Sequence, residues 1–118
     1  TFSNLWMGGK DAGTLISTIK SCWTGQKSAS VVPNVITCSM GWDDRPWGGA
    51  AMAWRLEPGD FKTLLSEAKK EIESRPEDRL DGRVINLDNW NEFGEGHYIS
   101  PTEEYGFGYM DAIREVFS

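Results

Sequence analysis

The run Val84-Ile85-Asn86-Leu87, closely followed by Asn89-Trp90-Asn91-Glu92-Phe93-Gly94-Glu95-Gly96-His97, is the most informative stretch of the chain. A short apolar, β-branched run bounded by polar residues reads as a buried strand, and Gly94 and Gly96 let the backbone behind it turn tightly. Two carboxylates, Glu92 and Glu95, therefore sit in a loop at a strand's carboxyl end, with Trp90 and Phe93 beside them. Such surroundings are expected to desolvate one carboxyl and raise its pKa while the other stays ionised, as acid/base chemistry on a sugar requires. A Glu-x-x-Glu pair on its own is most often solvated surface. Tryptophan, two asparagines and two glycines within nine residues are not ordinary surface filler.

Upstream, Asp11 opens a helical pattern in which Leu15, Ile16, Ile19, Cys22 and Trp23 recur on one face, with Gly25 placed to stop it. Val31 to Cys38 is a second β-rich run, its Pro33 near the start. It empties into Met40-Gly41-Trp42-Asp43-Asp44-Arg45-Pro46-Trp47-Gly48-Gly49, a long loop that continues to Pro58-Gly59 and carries too many tryptophans for disorder. Asp60 is the expected N-cap of a helix with Phe61, Leu64, Leu65, Ala68 and Ile72 on its apolar face, closed before Pro76. The third strand and its loop lead to a last helix, expected to start near Glu103 to Tyr105, with Tyr109, Ala112, Ile113, Val116 and Phe117 along one side. Thr1 to Met7, ahead of Gly8-Gly9, suits the end of an earlier strand.

The order is strand, helix, strand, helix, strand, helix, which predicts an α/β fold with parallel strands and crossover helices. Three such units are part of a TIM-type (β/α)8 barrel, about 39 residues per unit here against roughly 31 in a 250-residue barrel. Three units leave two open sheet edges, so the chain is expected to belong to a longer parent, to meet a partner that supplies the remaining barrel segment, or to self-associate. Its start at Thr1 rather than Met agrees with a beginning inside a longer protein. Parallel strands place the Trp42 to Trp47 loop and the Trp90 to His97 loop on the same carboxyl face, where α/β folds keep their sites.

The chain has 118 residues and a formal net charge of -6, with a pI near 4.7. That balance argues against a nucleic-acid partner and against an anionic membrane surface. No apolar run approaches the roughly 20 residues of a membrane span. Six tryptophans are core or stacking platforms. Cys22 and Cys38 are a disulfide or two thiols, and they leave the compartment open, a secreted or periplasmic place included. A metal site drawn from Asp43, Asp88, Glu92, Glu95 and His97 lacks any His-Glu-x-x-His or EF-hand spacing, so neither metal nor cofactor is expected.

Trp90-Asn91-Glu92-Phe93-Gly94-Glu95-Gly96, then Ile99-Ser100-Pro101 and Tyr105-Gly106, resembles the Trp-Asn-Glu-Trp-x-Glu-Gly signature of (β/α)8 glycoside hydrolases of the endo-α-mannosidase type, glycoside hydrolase family 99, and of the related WbsX-like proteins. Gly41-Trp42-Asp43-Asp44-Arg45-Pro46 is similar to the Gly-Trp-Asp loop of the same group, and the match runs in order over roughly residues 35 to 117. Phe93 stands in place of a usual Trp, and Ser100 where the family often has Glu; these differences bear on the substrate more than on the chemistry. The resemblance implies that the chain is the carboxyl-terminal portion of a barrel and that it serves a retaining glycosidase acting on an oligo- or polysaccharide, α-mannosides included. Glu92 would be the base that takes the sugar's 2-hydroxyl proton, and Glu95 the general acid. Trp42, Trp47 and Trp90 would stack on pyranose faces, Asn91 would fix a glutamate or a sugar hydroxyl, and Asp43 would bind hydroxyls while Asp44 and Arg45 brace the loop. His97 would stand behind Glu95, or, as a lone histidine more often does, serve the structure alone. A non-catalytic carbohydrate-binding protein, or one of polysaccharide biosynthesis, is the alternative.

Overall fold

The computed structural model describes residues 10–49 and 54–118. The strand expected over Thr1 to Met7 lies outside them. Helix α1 spans Ala12–Ala29, and its N-cap Asp11 accepts a hydrogen bond from the Thr14 amide at 2.9 Å. Leu15, Ile19 and Trp23 turn inward. Gly25 does not end this helix. A glycine inside a helix costs about 1 kcal/mol, and the surrounding turns are solvent-facing with no close neighbour to force an exit.

Only the end of the Val31 to Cys38 run is strand, β1 (Thr37–Cys38). Val31 and Val32 lie exposed, and Pro33 has no N–H to give a ladder. Strand β1 is followed by β2 (Gly41–Trp42) and β3 (Trp54–Arg55), an antiparallel pair in which Trp42 faces Trp54. Helix α2 (Pro58–Glu73) begins two residues before the expected cap. Pro58 suits a first helical position because the N–H it lacks would have had no partner there, and Asp60 lies inside the first turn, where its charge meets the positive helix end. Of the predicted apolar face, Phe61, Leu64, Leu65 and Ala68 are buried and Ile72 is half-buried against the core.

The run Val84 to Leu87 is likewise strand only at its end, β4 (Asn86–Leu87). Val84 is exposed, its amide being used by a turn to the Leu80 carbonyl. The Asn89 to His97 stretch is a hairpin of β5 (Asn91–Glu92) and β6 (His97–Tyr98). The last helix, α3 (Gly108–Phe117), starts later than expected. Thr102 and Gly106 pair first in a tight turn, with Gly106 at φ 53°.

Strands β1 and β4 are parallel, with Thr37 opposite Asn86 and Cys38 opposite Leu87. The other two pairs are antiparallel hairpins. Behind them lies one core, drawn from α1, α2 and α3 together with Ile36, Met40 and Leu56. Two polar bonds tie helices to it: Trp23 Nε1 donates to the Thr37 carbonyl at 2.9 Å, and the Tyr109 hydroxyl to the Leu56 carbonyl at 2.8 Å. At the amino end of β1 the buried Arg75 donates to the Asn34 carbonyl and to Glu71, while Asp81 accepts from the Asn34 amide and from Arg79. That end is a closed ion network. The chemistry-bearing residues lie at the other.

Candidate active site

Each loop of interest leaves the carboxyl end of one of the two parallel strands. After β1, residues Ser39 and Met40 lead into β2, and Arg45–Trp47 then make a 3-10 turn closed by Gly48 in the left-handed region, φ 95°. After β4, Asp88 to Trp90 lead into β5, and Phe93–Glu95 make a second 3-10 turn closed by Gly96, φ 57°. The two turns meet. The Asp43 amide donates to the Glu95 carbonyl at 2.7 Å. A Cβ on Gly94 would lie 3.6 Å from the Trp47 indole, and one on Gly96 would fall 2.5 Å from Asp43 Cβ. The first is ordinary van der Waals contact; at Gly96, with its positive φ, glycine is required for the two loops to come this near.

This junction brings Glu92, Glu95, Asn91, Trp90, Asp43, Trp47 and Trp42 into one region, although their side chains differ in availability. Trp47 is 76% exposed and Trp90 51%. Both, with the exposed Phe93, offer ring faces to solvent. Trp42 is half-buried against the core, so it is wall rather than platform. Asn91 and Glu92 are exposed, and Glu95 is half-buried. Nothing among the described residues covers this face. Neither glutamate is engaged by a cation among the described residues, which leaves both free to meet a ligand.

Asp43 is buried and does not face solvent as a sugar-binding residue would. Arg45 grips its carboxylate through Nε at 2.8 Å and Nη2 at 2.5 Å. That contact holds the Asp43 carboxyl below its usual range, against the opposing effect of burial. The brace expected between Asp44 and Arg45 is therefore made by Asp43. Arg55 lies beneath the second loop, with Nη2 3.4 Å from the Gly96 carbonyl and its guanidinium 5.3 Å from the centre of the Tyr98 ring.

His97 does not pair with Glu95. It is buried, and its Nε2 lies 3.0 Å from Ser39 Oγ and 3.0 Å from Asp88 Oδ1. Serine, histidine and aspartate are the residue types of a nucleophilic triad, but that triad uses both ring nitrogens, one for the serine and one for the carboxylate. Here both contacts fall on Nε2, and Ser39 is fully buried. The set is structural. Nearby, burial pushes the Cys38 thiol up to about 12, and the Asp88 carboxylate adds to the rise. Cys22 and Cys38 are free thiols. Ser39 and Arg55 carried no motif in the sequence. Asp88 stood only among weakly spaced acidic groups. Their roles follow from which strand ends lie side by side.

No group of His, Cys, Asp and Glu among the described residues is arranged to hold a metal. No helix among them is long and apolar enough to cross a membrane.

Exposed tryptophans beside unpaired carboxylates, on the carboxyl face of parallel strands, are what a carbohydrate-active protein presents to a glycan. The family model described as "Glycosyltransferase WbsX" matches residues 15–113, and the chain belongs to that family. The match runs from α1 into α3 and takes in both loops. No curated protein and no solved structure matches the chain.

Proposed function

We propose that this chain carries the catalytic face of a glycoside hydrolase acting on an oligo- or polysaccharide, of the endo-α-mannosidase type in its chemistry. Its βα units belong to the carboxyl-terminal part of a (β/α)8 barrel. The observation that carries this reading is the junction of the two loops, where the Asp43 amide bonds to the Glu95 carbonyl at 2.7 Å and Trp47 lies over Gly94. One backbone contact therefore sets the acid-bearing turn against the aromatic loop.

In this mechanism Glu92, exposed to solvent, draws the proton from the sugar's 2-hydroxyl, which then displaces the leaving group from the neighbouring carbon. Glu95 protonates the departing oxygen, and afterwards takes a proton from the water that opens the intermediate while Glu92 returns its proton to the 2-oxygen, so that both carboxyls are reset and configuration is retained. Glu95 is the better placed acid because it is the more buried of the two, and a bound glycan or the remaining barrel would complete its desolvation. Trp47 and Trp90 stack on flanking rings, and Asn91 hydrogen-bonds a hydroxyl.

The test is cleavage of a panel of α- and β-linked oligosaccharides, mannans included, by the complete protein beside Glu92→Gln and Glu95→Gln. Cleavage by the native protein that either substitution lowers at least ~100-fold, with circular dichroism unchanged, fits general acid–base roles. Cleavage that survives both substitutions removes the assignment. The description of the family favours a second reading, assembly of a polysaccharide from an activated sugar. Glycan extension only in the presence of a nucleotide- or lipid-linked donor would replace the hydrolase with that activity.

A further inference from the structure

His97 and Asp88 lie outside the proposed chemistry, yet they occupy the junction between the strands and the hairpin that bears both glutamates. His97 is on β6, directly across from Glu92 in the hairpin register. Its Nε2 reaches Ser39, the first residue after β1, and Asp88, the first residue after β4, each at 3.0 Å. One imidazole therefore touches the carboxyl ends of both parallel strands and, through its own backbone, the strand that holds Glu92. Asp88 has 6% of its side chain exposed. Its two oxygens are sealed from solvent and make no aligned hydrogen bond among the described residues, where the His97 ring is its one compensating contact. A buried carboxylate left without a partner is strongly disfavoured, which makes this contact expensive to lose.

We infer that Asp88 and His97 are positioning residues for Glu92, fastening the catalytic hairpin to the strand ends. This rests on the hydrolase reading for its effect on turnover, while the fastening itself stands independently of it. Other ties on the hairpin leave its Glu92 edge free: the Ile99 and Ser100 amides both bond to the Trp90 carbonyl, and the Asp43 amide to the Glu95 carbonyl. Without the imidazole, residues 91–92 keep their two-residue ladder to 97–98, which stays anchored through Tyr98 in the core and Arg55 at the Gly96 carbonyl, while the direct tie to both strand ends is lost. A displacement of roughly 1 Å at a reacting group costs on the order of 100-fold in rate.

The experiment compares the complete protein with His97→Ala, His97→Gln and Asp88→Asn, reading kcat and KM on a glycan that the native protein cleaves. Amide hydrogen exchange over residues 91–98 is measured in parallel. The expected result for His97→Ala is a kcat lower by on the order of 100-fold, KM little changed, and faster exchange confined to 91–98. His97→Gln, whose amide can still reach Asp88, recovers most of both readouts. Asp88→Asn keeps the shape while removing the charge, so it gives an answer even where His97→Ala fails to fold; it is expected to show the same two changes more weakly. Native kcat and native exchange in Asp88→Asn and His97→Ala overturn the inference. Where the native protein cleaves no glycan the hydrolase reading falls, and hairpin exchange decides the fastening by itself, faster exchange supporting it and unchanged exchange overturning it.

Discussion

Gly96→Ala is the substitution with the most calculable consequence, because the same chain supplies its control. Gly96 sits at φ 57° and ψ 28°, where an L side chain meets the following carbonyl at a cost of about 1–2 kcal/mol. A methyl there would also fall 2.5 Å from Asp43 Cβ and 3.1 Å from Arg55 Nη2. The Arg55 guanidinium can swing aside, but Asp43 cannot yield cheaply, since it is held by Arg45 and by the backbone bond to Glu95. Overpacking of this kind costs about 1–3 kcal/mol, so Gly96→Ala should destabilise by roughly 2–5 kcal/mol. Gly106 has nearly the same backbone, φ 53°, with nothing within 4 Å of its hypothetical Cβ. Gly106→Ala should therefore show the backbone strain alone, about 1–2 kcal/mol. Urea denaturation of both variants, with slopes compared to confirm a common unfolding transition, separates the two contributions. Equal midpoint losses for the two alanines would refute the close approach of the loops.

Two further outcomes follow from buried polar contacts. Tyr109→Phe removes the hydroxyl that donates to the buried Leu56 carbonyl at 2.8 Å and should cost about 1–3 kcal/mol, whereas a loss below about 0.5 kcal/mol would mean the bond contributes nothing. Asp81→Asn should be less stable than the native protein at neutral pH, because Arg79, and then the Asn34 amide, holds the Asp81 carboxyl at about 2 instead of 3.8. A depressed carboxyl stabilises above its ordinary value and loses that contribution as pH falls through the folded one, so acid titrations of the two proteins should converge between about pH 4 and pH 2. A gap that persists unchanged below pH 2 would show that the charge of Asp81 is not what the fold uses.

The inward faces of the helices were legible because period alone decides them: Leu15, Ile19 and Trp23, then Phe61, Leu64, Leu65 and Ala68, all lie in the core. Strand lengths were not legible. Val31 and Val84 are as β-prone as Ile36, but a residue counts as strand only where a neighbour lies alongside, and β1 and β4 overlap for two residues each. Helix starts were misplaced for a related reason. Asp60 and Glu103 carry good local signals, while Pro58 and the Thr102 to Gly106 turn answer to geometry outside the helix. At the site, the composition of both loops singled out residues that the fold brings into one region, and their pairing did not follow from it. Arg45 chose Asp43 over Asp44 because the 3-10 turn folds it backward. His97 is held at the strand ends because β6 returns over them, a consequence of the hairpin that no spacing between His97 and Glu95 encodes.

The link from the Asp43 amide to the Glu95 carbonyl is made between main-chain atoms, and a main-chain bond is blind to which side chains flank it. Residues such as Asp44, Trp47, Phe93 and Asn91 can be exchanged for others without removing either the donor or the acceptor. The site is thereby divided into a frame, set by main-chain atoms and by Gly96, and a decoration that substitution is free to alter. Under the proposed function, new sugars are accommodated by changing the decoration, while the Glu95 turn stays at its post.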